Sequence, residues 1–159
     1  MKRIILTMAL TLCACQWLMA ETVDEFLDTM KDAPDVEYVE LTPDMLLTML
    51  NQKGVNANVK ERALKVQDKV SCVQILNGTL PNDSAPLKAR LAALTVDNLE
   101  EMVNSSEAGE LTRVWLQTDG QRCSMIVVVG ADEANHDWQV VKLNCDIAVD
   151  DVGNLIHYN

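Results

Sequence analysis

Cysteines are the residues in this chain whose type and spacing could do chemistry. Cys123 and Cys145 lie in two strand-like runs, RCSMIVVVG and WQVVKLNCDI, which the polar turn ADEANHD joins. If the runs pair antiparallel with Val127 opposite Val141, Cys123 lies opposite Cys145 on one side of the ribbon. This register predicts a disulfide between them and leaves Cys72 unpaired. The alternative is that all three are small buried apolar residues, as free cysteines commonly are.

Other candidates for chemistry are sparse. His136 and His157 are the only histidines. His136 stands among Asp132, Glu133 and Asp137 and could join a weak metal site, but no ligand spacing is fixed, so a solvated turn is the preferred interpretation. Carboxylate pairs could be drawn at will from 24 acidic residues, and the glycines form no phosphate-binding loop. We therefore expect no catalytic residues, no metal and no cofactor, and hence not an enzyme.

The first twenty residues have the features of a secretory signal peptide. Lys2 and Arg3 precede an uncharged apolar run that ends at Ala20, and acidic sequence follows. We expect cleavage after Ala20 and a periplasmic or extracellular protein. The alternative is a lipoprotein signal in which Cys15 carries the lipid and anchors the protein in the outer membrane. The run is short for a membrane span, so none is expected after signal removal.

Removal of residues 1–20 leaves 11 basic against 24 acidic residues, a net charge of −13. A protein this acidic is repelled by nucleic acid and by anionic membrane surfaces, so neither is an expected partner. Residues 21–159 have the length of one domain, which buries about two-thirds of its unfolded surface and can form a real core.

Apolar periodicity and turn residues place the elements that must position these side chains. We predict α+β, with helices packed on one face of a largely antiparallel sheet that ends in a β-meander and a short C-terminal helix. Thr42 is expected to cap the second helix, and Asn77 with Gly78 is expected to end a strand. The predicted helices are residues 21–31, 43–50, 56–69, 87–94 and 148–158, and the predicted strands are 36–41, 70–76, 99–104, 111–117, 122–130 and 138–147. Residues 56–69 could instead form a solvated loop, and residues 99–104 could instead be the end of the preceding helix.

Two tryptophans lie on predicted meander strands. Trp138 falls on the side of the ribbon opposite the cysteines, where either a covering helix or a partner must bury it. If Trp115 and Trp138 were exposed together, they would form a partner-binding face, because aromatic side chains are enriched in interfaces.

Two segments carry a family resemblance. VEYVELTPDMLLTML and the later LTRVWLQTDGQRCSMIVVVGADEANHDWQVVKLNCDIAVDDV resemble the secreted domain-of-unknown-function family 4252, found mainly in Bacteroides-type bacteria. The resemblance implies export and an α+β fold, and it implies no known activity and no functional residues. It also makes Ser84 a candidate for O-glycosylation, because Asp83, Ser84 and Ala85 fit the short pattern of such bacteria in a predicted surface loop.

Taken together, the sequence predicts an exported, non-catalytic protein that binds a protein or envelope component through its sheet face or edge. One alternative is a structural or assembly factor of the envelope, which a self-complementary exposed strand edge would favour. The other is a hydrolase that uses scattered carboxylates, which would need a deep pocket with carboxyl groups of raised pKa.

Overall fold

A computed structural model describes residues 20–156. Between these limits the chain forms five helices and six strands. The helices are α1 Val23–Met30, α2 Pro43–Leu50, α3 Ala57–Val66, α4 Ala85–Ala93 and α5 Val149–Ile156. The strands are β1 Val36–Leu41, β2 Val70–Thr79, β3 Glu100–Glu107, β4 Glu110–Asp119, β5 Arg122–Asp132 and β6 Asp137–Ala148.

The six strands form one sheet in the order β1-β2-β6-β5-β4-β3, and every neighbouring pair is antiparallel. Strands β3 to β6 follow one another through tight turns. At the first turn Ala108 and Gly109 both have positive φ, and at the second Gly120 does, which is the conformation that short hairpin turns require. The α+β class, the antiparallel meander and the closing helix are thus confirmed.

Threonine side chains cap the N-terminal ends of the first two helices. The Thr22 hydroxyl accepts a hydrogen bond from the Glu25 amide at 3.2 Å, and the Glu25 carboxylate accepts one from the Thr22 amide at 2.9 Å, which completes a capping box. Thr42 caps α2 as predicted, with Pro43 as the first helical residue. These caps fix where the chain turns from loop into helix.

The helices divide between the two faces of the sheet. On the first face, α1 and α4 cover a core that includes Phe26, Leu91 and Val127. On the second face, α2, α3 and α5 pack near one end of the strands around a core that includes Leu41 and Ile147. Both faces therefore carry helices, and the expectation of one covered face was too narrow. Residues 125–129 of β5 are all apolar, so successive side chains can be buried on both sides of the sheet.

Trp138 lies in the core of the first face, where α1 covers it. Its ring meets the ring of Phe26 edge-on, with centroids 5.8 Å apart and an interplanar angle of 77°. Gly78 is its cross-strand partner on β2, and a Cβ there would lie 2.8 Å from the indole Nε1. The predicted turn at Asn77 and Gly78 was wrong: β2 continues to Thr79, and the glycine makes room for the indole.

Arg113 is the one charged side chain that is buried among the described residues, at 8% exposure. It lies on β4, and its guanidinium donates hydrogen bonds of 2.7 Å to Glu101 and to the carbonyls of Ala92 and Leu94. Its Cζ lies 4.4 Å from the ring centroid of Trp115. These contacts tie the C-terminal end of α4 to the sheet, because they satisfy carbonyls that a helix leaves without intrahelical partners.

Candidate partner-binding face

The helices on the second face stop halfway along the strands and leave the other half open. We call this half the open face. Leu41, Val73, Ile126 and Leu116 form a buried cross-strand row beneath the helices. The rows beyond them, two residues further along each strand, become more exposed, except at Val114, which is 2% exposed and belongs to the same core. The open face is therefore solvent-accessible sheet surface.

An apolar row borders the covered half, and we call it the apolar strip. Its six side chains are successive cross-strand partners, one from each strand, and five of the six are valine. Four of them are half-buried, Val114 is buried and Val103 is 37% exposed. The members in sheet order are Val39, Ile75, Val141, Val128, Val114 and Val103.

A polar row and an acidic row follow toward the far end of the strands. The polar row consists of Glu37, Asn77, Gln139, Gly130, Thr112 and Ser105, again one from each strand. The next row holds four carboxylates that face one another across neighbouring strands, which we call the acidic strip: Glu107, Glu110, Asp132 and Asp137. Much of both rows lines an open trough of about 780 Å³.

Asp132 of the acidic strip keeps its charge in the folded protein. Partial burial opposes ionisation of Asp132, but hydrogen bonds from the amides of Ala134 and Asn135 and from the Asn135 side chain outweigh it and lower the pKa of the carboxyl. Among the described residues, none of the four strip carboxylates takes part in an ion pair. The strip is thus a row of like charges, which costs stability when the chain is alone.

Glu133, next to the strip, behaves differently. Its carboxylate accepts a hydrogen bond of 2.8 Å from Lys88, and this bond and the lysine charge lower the pKa of Glu133. Lys88 also donates to the carbonyl of Gly109 at 3.3 Å. These contacts hold the β5–β6 turn and the β3–β4 turn against α4, and they fix the two hairpins that present the acidic strip.

Gly130 leaves the floor of the trough without a side chain. It lies in the polar row in the middle of β5, a position where glycine weakens a strand and often marks the close approach of another molecule. A Cβ at Gly130 would meet the nearest atom, Gln139 Cγ, at 3.7 Å, which is ordinary contact. Packing inside the fold therefore does not require this glycine, in contrast to Gly78.

The predicted register of the β5–β6 ribbon was wrong. Val127 faces Lys142 and Cys123 faces Ile147, with an irregularity between Cys123 and Met125. The turn closes with Asp132 opposite Asp137, which offsets the regular ladder by one residue from the prediction, and the irregularity shifts the pairing of Cys123 by one residue more. Cys145 lies nonetheless on the face of Cys123, and its thiol donates a hydrogen bond of 3.4 Å to the Cys123 carbonyl.

All three described thiols are free. Burial and then the neighbouring Cys123 raise the pKa of Cys145 to about 12, and burial also raises the pKa of Cys123. The Cys72 thiol donates to the Glu40 carboxylate at 3.7 Å, and burial with that negative charge raises its pKa too. Thiols with raised pKa are poor nucleophiles. The pairing of Cys123 with Cys145 stays a prediction.

The two tryptophans do not form an exposed face. Trp115 is 4% and Trp138 is 2% exposed, and both belong to the core of the first face. The interpretation of this pair as a partner-binding surface is therefore corrected: Phe26 of α1 packs on Trp138, the Arg113 guanidinium lies over Trp115, and the accessible sheet surface is on the opposite side.

The remaining candidate residues are dispersed. Ser84 immediately precedes α4 and is half-buried, and its hydroxyl donates to Glu133 at 3.3 Å. Glycosylation of Ser84 stays a prediction. The modification would have to displace the hydrogen bond to Glu133. His136 is exposed in its turn, and no three metal-binding side chains converge anywhere in residues 20–156. Cys15 and His157 lie outside the described residues.

The acidic strip and Gly130 were not singled out from the sequence. The signal was present in part, because Glu107 with Glu110 and Asp132 with Asp137 fall within two predicted hairpin turns. The strands extend further into both turns than predicted, so the two acids of each pair face each other. Only the register between β4 and β5 brings the two pairs into one row.

Comparisons with known proteins give one match. A family model described as a domain of unknown function, DUF4252, matches residues 29–155, from α1 to α5, and this range contains all six strands. Neither the curated proteins nor the solved structures gave a match. No helix between residues 20 and 156 is long and apolar enough to cross a membrane. The chain belongs to the DUF4252 family.

Proposed function

We propose that this protein is an exported, non-catalytic binding protein that holds a protein or envelope component against its open face. The proposal combines the signal-like first twenty residues with the exposed half of the second sheet face. The protein would act after export, in the periplasm or outside the cell.

One observation carries the proposal: an apolar row crosses all six strands where the core of the second face meets the exposed polar row, and four of its side chains are half-buried while Val103 is exposed. Half-buried valine and isoleucine side chains in a continuous row are what an interface needs at its centre, and the polar row beside them supplies a rim. Complete burial of this row would lower the free energy of the folded protein further. We therefore take the partly exposed apolar strip as the docking surface for a partner.

The open face offers recognition more readily than catalysis. The trough is open, and Asp132, at its edge, has a lowered pKa, so it carries a negative charge at neutral pH. General acid catalysis needs a carboxyl group that still holds its proton near neutral pH. Fixed charges instead orient a bound partner.

The test blocks the trough without disturbing the fold. Gly130→Tyr places a large β-forming side chain on the trough floor, where ordinary contact distances leave room for its Cβ. Ser106→Tyr is the matched control, because Ser106 is exposed on β3 and its side chain alternates to the other face. Tagged mature protein and both variants would be used to capture partners from the envelope fraction of the source cells, with urea unfolding to verify the fold.

We expect wild type and Ser106→Tyr to capture the same partner and Gly130→Tyr to lose it. Capture that is unchanged in a folded Gly130→Tyr variant would place the binding surface elsewhere and overturn the proposal.

A structural or assembly role is the second candidate, because the edge strand β3 favours it. All eight residues of β3 are exposed, and Met102 on this strand is 56% exposed. An edge strand can add a strand from another chain through its free backbone groups. Sedimentation over a range of protein concentrations tests this role, since Met102→Lys should abolish any assembly that grows from the β3 edge.

A further inference from the structure

We infer that the occupant of the open face is a cationic amphipathic helix of a partner protein. The inference rests on the proposed function and adds the chemistry of the partner. Two strips of different character run side by side across the sheet, one apolar and one acidic, and a single helix with apolar and basic faces matches both.

The dimensions fit such a helix. The apolar strip crosses six strands, and five interstrand spacings of about 4.8 Å make it about 24 Å long. An α-helix of about 16 residues has the same length. The acidic strip lies four residues further along the strands, about 13 Å away. A helix is about 10–12 Å wide with its side chains, so lysines on its flank reach the acids while its apolar face rests on the valines.

The negative charge of the acidic strip favours a positively charged partner. The folded chain places Glu107, Glu110, Asp132 and Asp137 in adjacent cross-strand positions, and none of them has an ion-pair partner within the described part of the chain. Basic side chains of a partner would relieve this repulsion. The net charge of −13 attracts a cationic partner over a distance and disfavours a second copy of this chain.

The helices that the structure describes on the second face leave room for a partner on the open face. The core of the second face centres on Leu41 and Ile147 at the other end of the strands and reaches only as far as the apolar strip. Gly130 keeps the floor between the two strips low. A partner helix would occupy the open half in the way that α2 and α5 occupy the covered half.

The probe is a synthetic peptide of about 16 residues made of leucine and lysine, with leucine at the spacing of one helix face. Two control peptides separate the contributions: one has the same composition in alternating order, and the other has glutamate in place of lysine. Binding to the mature protein would be measured by calorimetry at about 50 and about 300 mM salt, with circular dichroism to record helix formation.

Protein variants locate the site. Glu110→Gln with Asp137→Asn removes two charges from the acidic strip, and Val128→Thr with Val141→Thr makes the apolar strip polar at nearly constant shape. Asp97→Asn with Asp119→Asn is the matched control, because both residues are exposed acids outside the open face. Its net charge equals that of the first variant, so long-range attraction is the same in both.

We expect the helical cationic peptide to bind best, to gain helicity and to weaken with salt. Loss of two surface ion pairs should weaken binding about 2- to 30-fold in the acidic-strip variant Glu110→Gln with Asp137→Asn. The control variant should keep nearly full affinity. Equal weakening in the control would show diffuse charge attraction and overturn the inference. Binding of the acidic peptide, or a dimer of the chain that occupies the open face, would overturn it as well. Capture of an acidic or uncharged envelope partner that Gly130→Tyr abolishes would keep the proposed function and refute only the cationic helix.

Discussion

Arg113→Met is expected to destabilise the domain by about 3–5 kcal/mol, the cost of breaking a buried charge-paired network from one side. The guanidinium makes two charge-assisted hydrogen bonds of 2.7 Å to the carbonyls of Ala92 and Leu94, and a third to Glu101. Methionine fills much of the same volume but donates nothing. Two carbonyls at the end of α4 then lose their partners, and each such bond to a charged group is worth about 1.5–3 kcal/mol.

The assay is urea unfolding at pH 7, followed by far-UV circular dichroism. A domain of this size has a total stability of about 5–15 kcal/mol, so the expected loss is a large part of it. Glu101→Gln is the companion variant, because its side chain is about one-third exposed and it should cost only about 0.5–1.5 kcal/mol. Arg113→Lys should fall between the two, since an ammonium reaches fewer of the acceptors.

The double variant Arg113→Met with Glu101→Gln completes a thermodynamic cycle. We expect it to be less destabilised than the sum of the single variants, because the carboxylate left behind by Arg113→Met is neutralised. A loss below about 1 kcal/mol in Arg113→Met would refute the reasoning that this arginine fastens α4 to the sheet.

Four further predictions concern other parts of the chain. Gly78→Ala should lower the stability by about 1–3 kcal/mol, because the new methyl group must displace the Trp138 indole, and an unchanged urea midpoint would contradict this packing. Stability should fall as the pH rises from about 9 toward about 12, because the unfolded Cys145 thiol loses its proton before the folded one does, and Cys145→Ala should flatten this slope. Oxidised protein from the export compartment should show a mass 2 Da lower than the reduced form if Cys123 and Cys145 pair, about two hydrogens, while an unchanged mass leaves both thiols free. The mature N-terminus should follow Ala20, and a lipid-modified N-terminus further upstream would instead indicate the lipoprotein signal.

Most of the elements could be predicted from the sequence because their signals are local. Apolar residues at helical spacing and Thr42 before Pro43 predicted α2, and alternation in VEYVEL predicted β1 with its observed bounds. The turn at Asp119 and Gly120 depends on the conformational freedom of a glycine at positive φ, which is also a local property. Local rules failed at Gly78, because the reason for that glycine is an indole from a strand 60 residues later in the chain.

The candidate site was harder to predict because it exists only across strands. The β5–β6 ladder is offset by one residue from the predicted register, and an irregularity next to Cys123 shifts that end by one residue more, which no residue type in the ribbon signals. Arg113 falls within the predicted strand 111–117, but its partners come from α4 and β3, which the strand pattern does not indicate. The tryptophans could be assigned to strands, but which face the helices cover was a question of packing.

The sequence alone determined most of the secondary structure, the acidic charge, the signal-like start and the family, because each depends on neighbouring residues or on composition. The tertiary structure decided which half of the second face stays open and which residues meet on it. The physical reason is that six strands contribute one residue each to every strip, and strand order and register, set by long-range packing, decide which six they are.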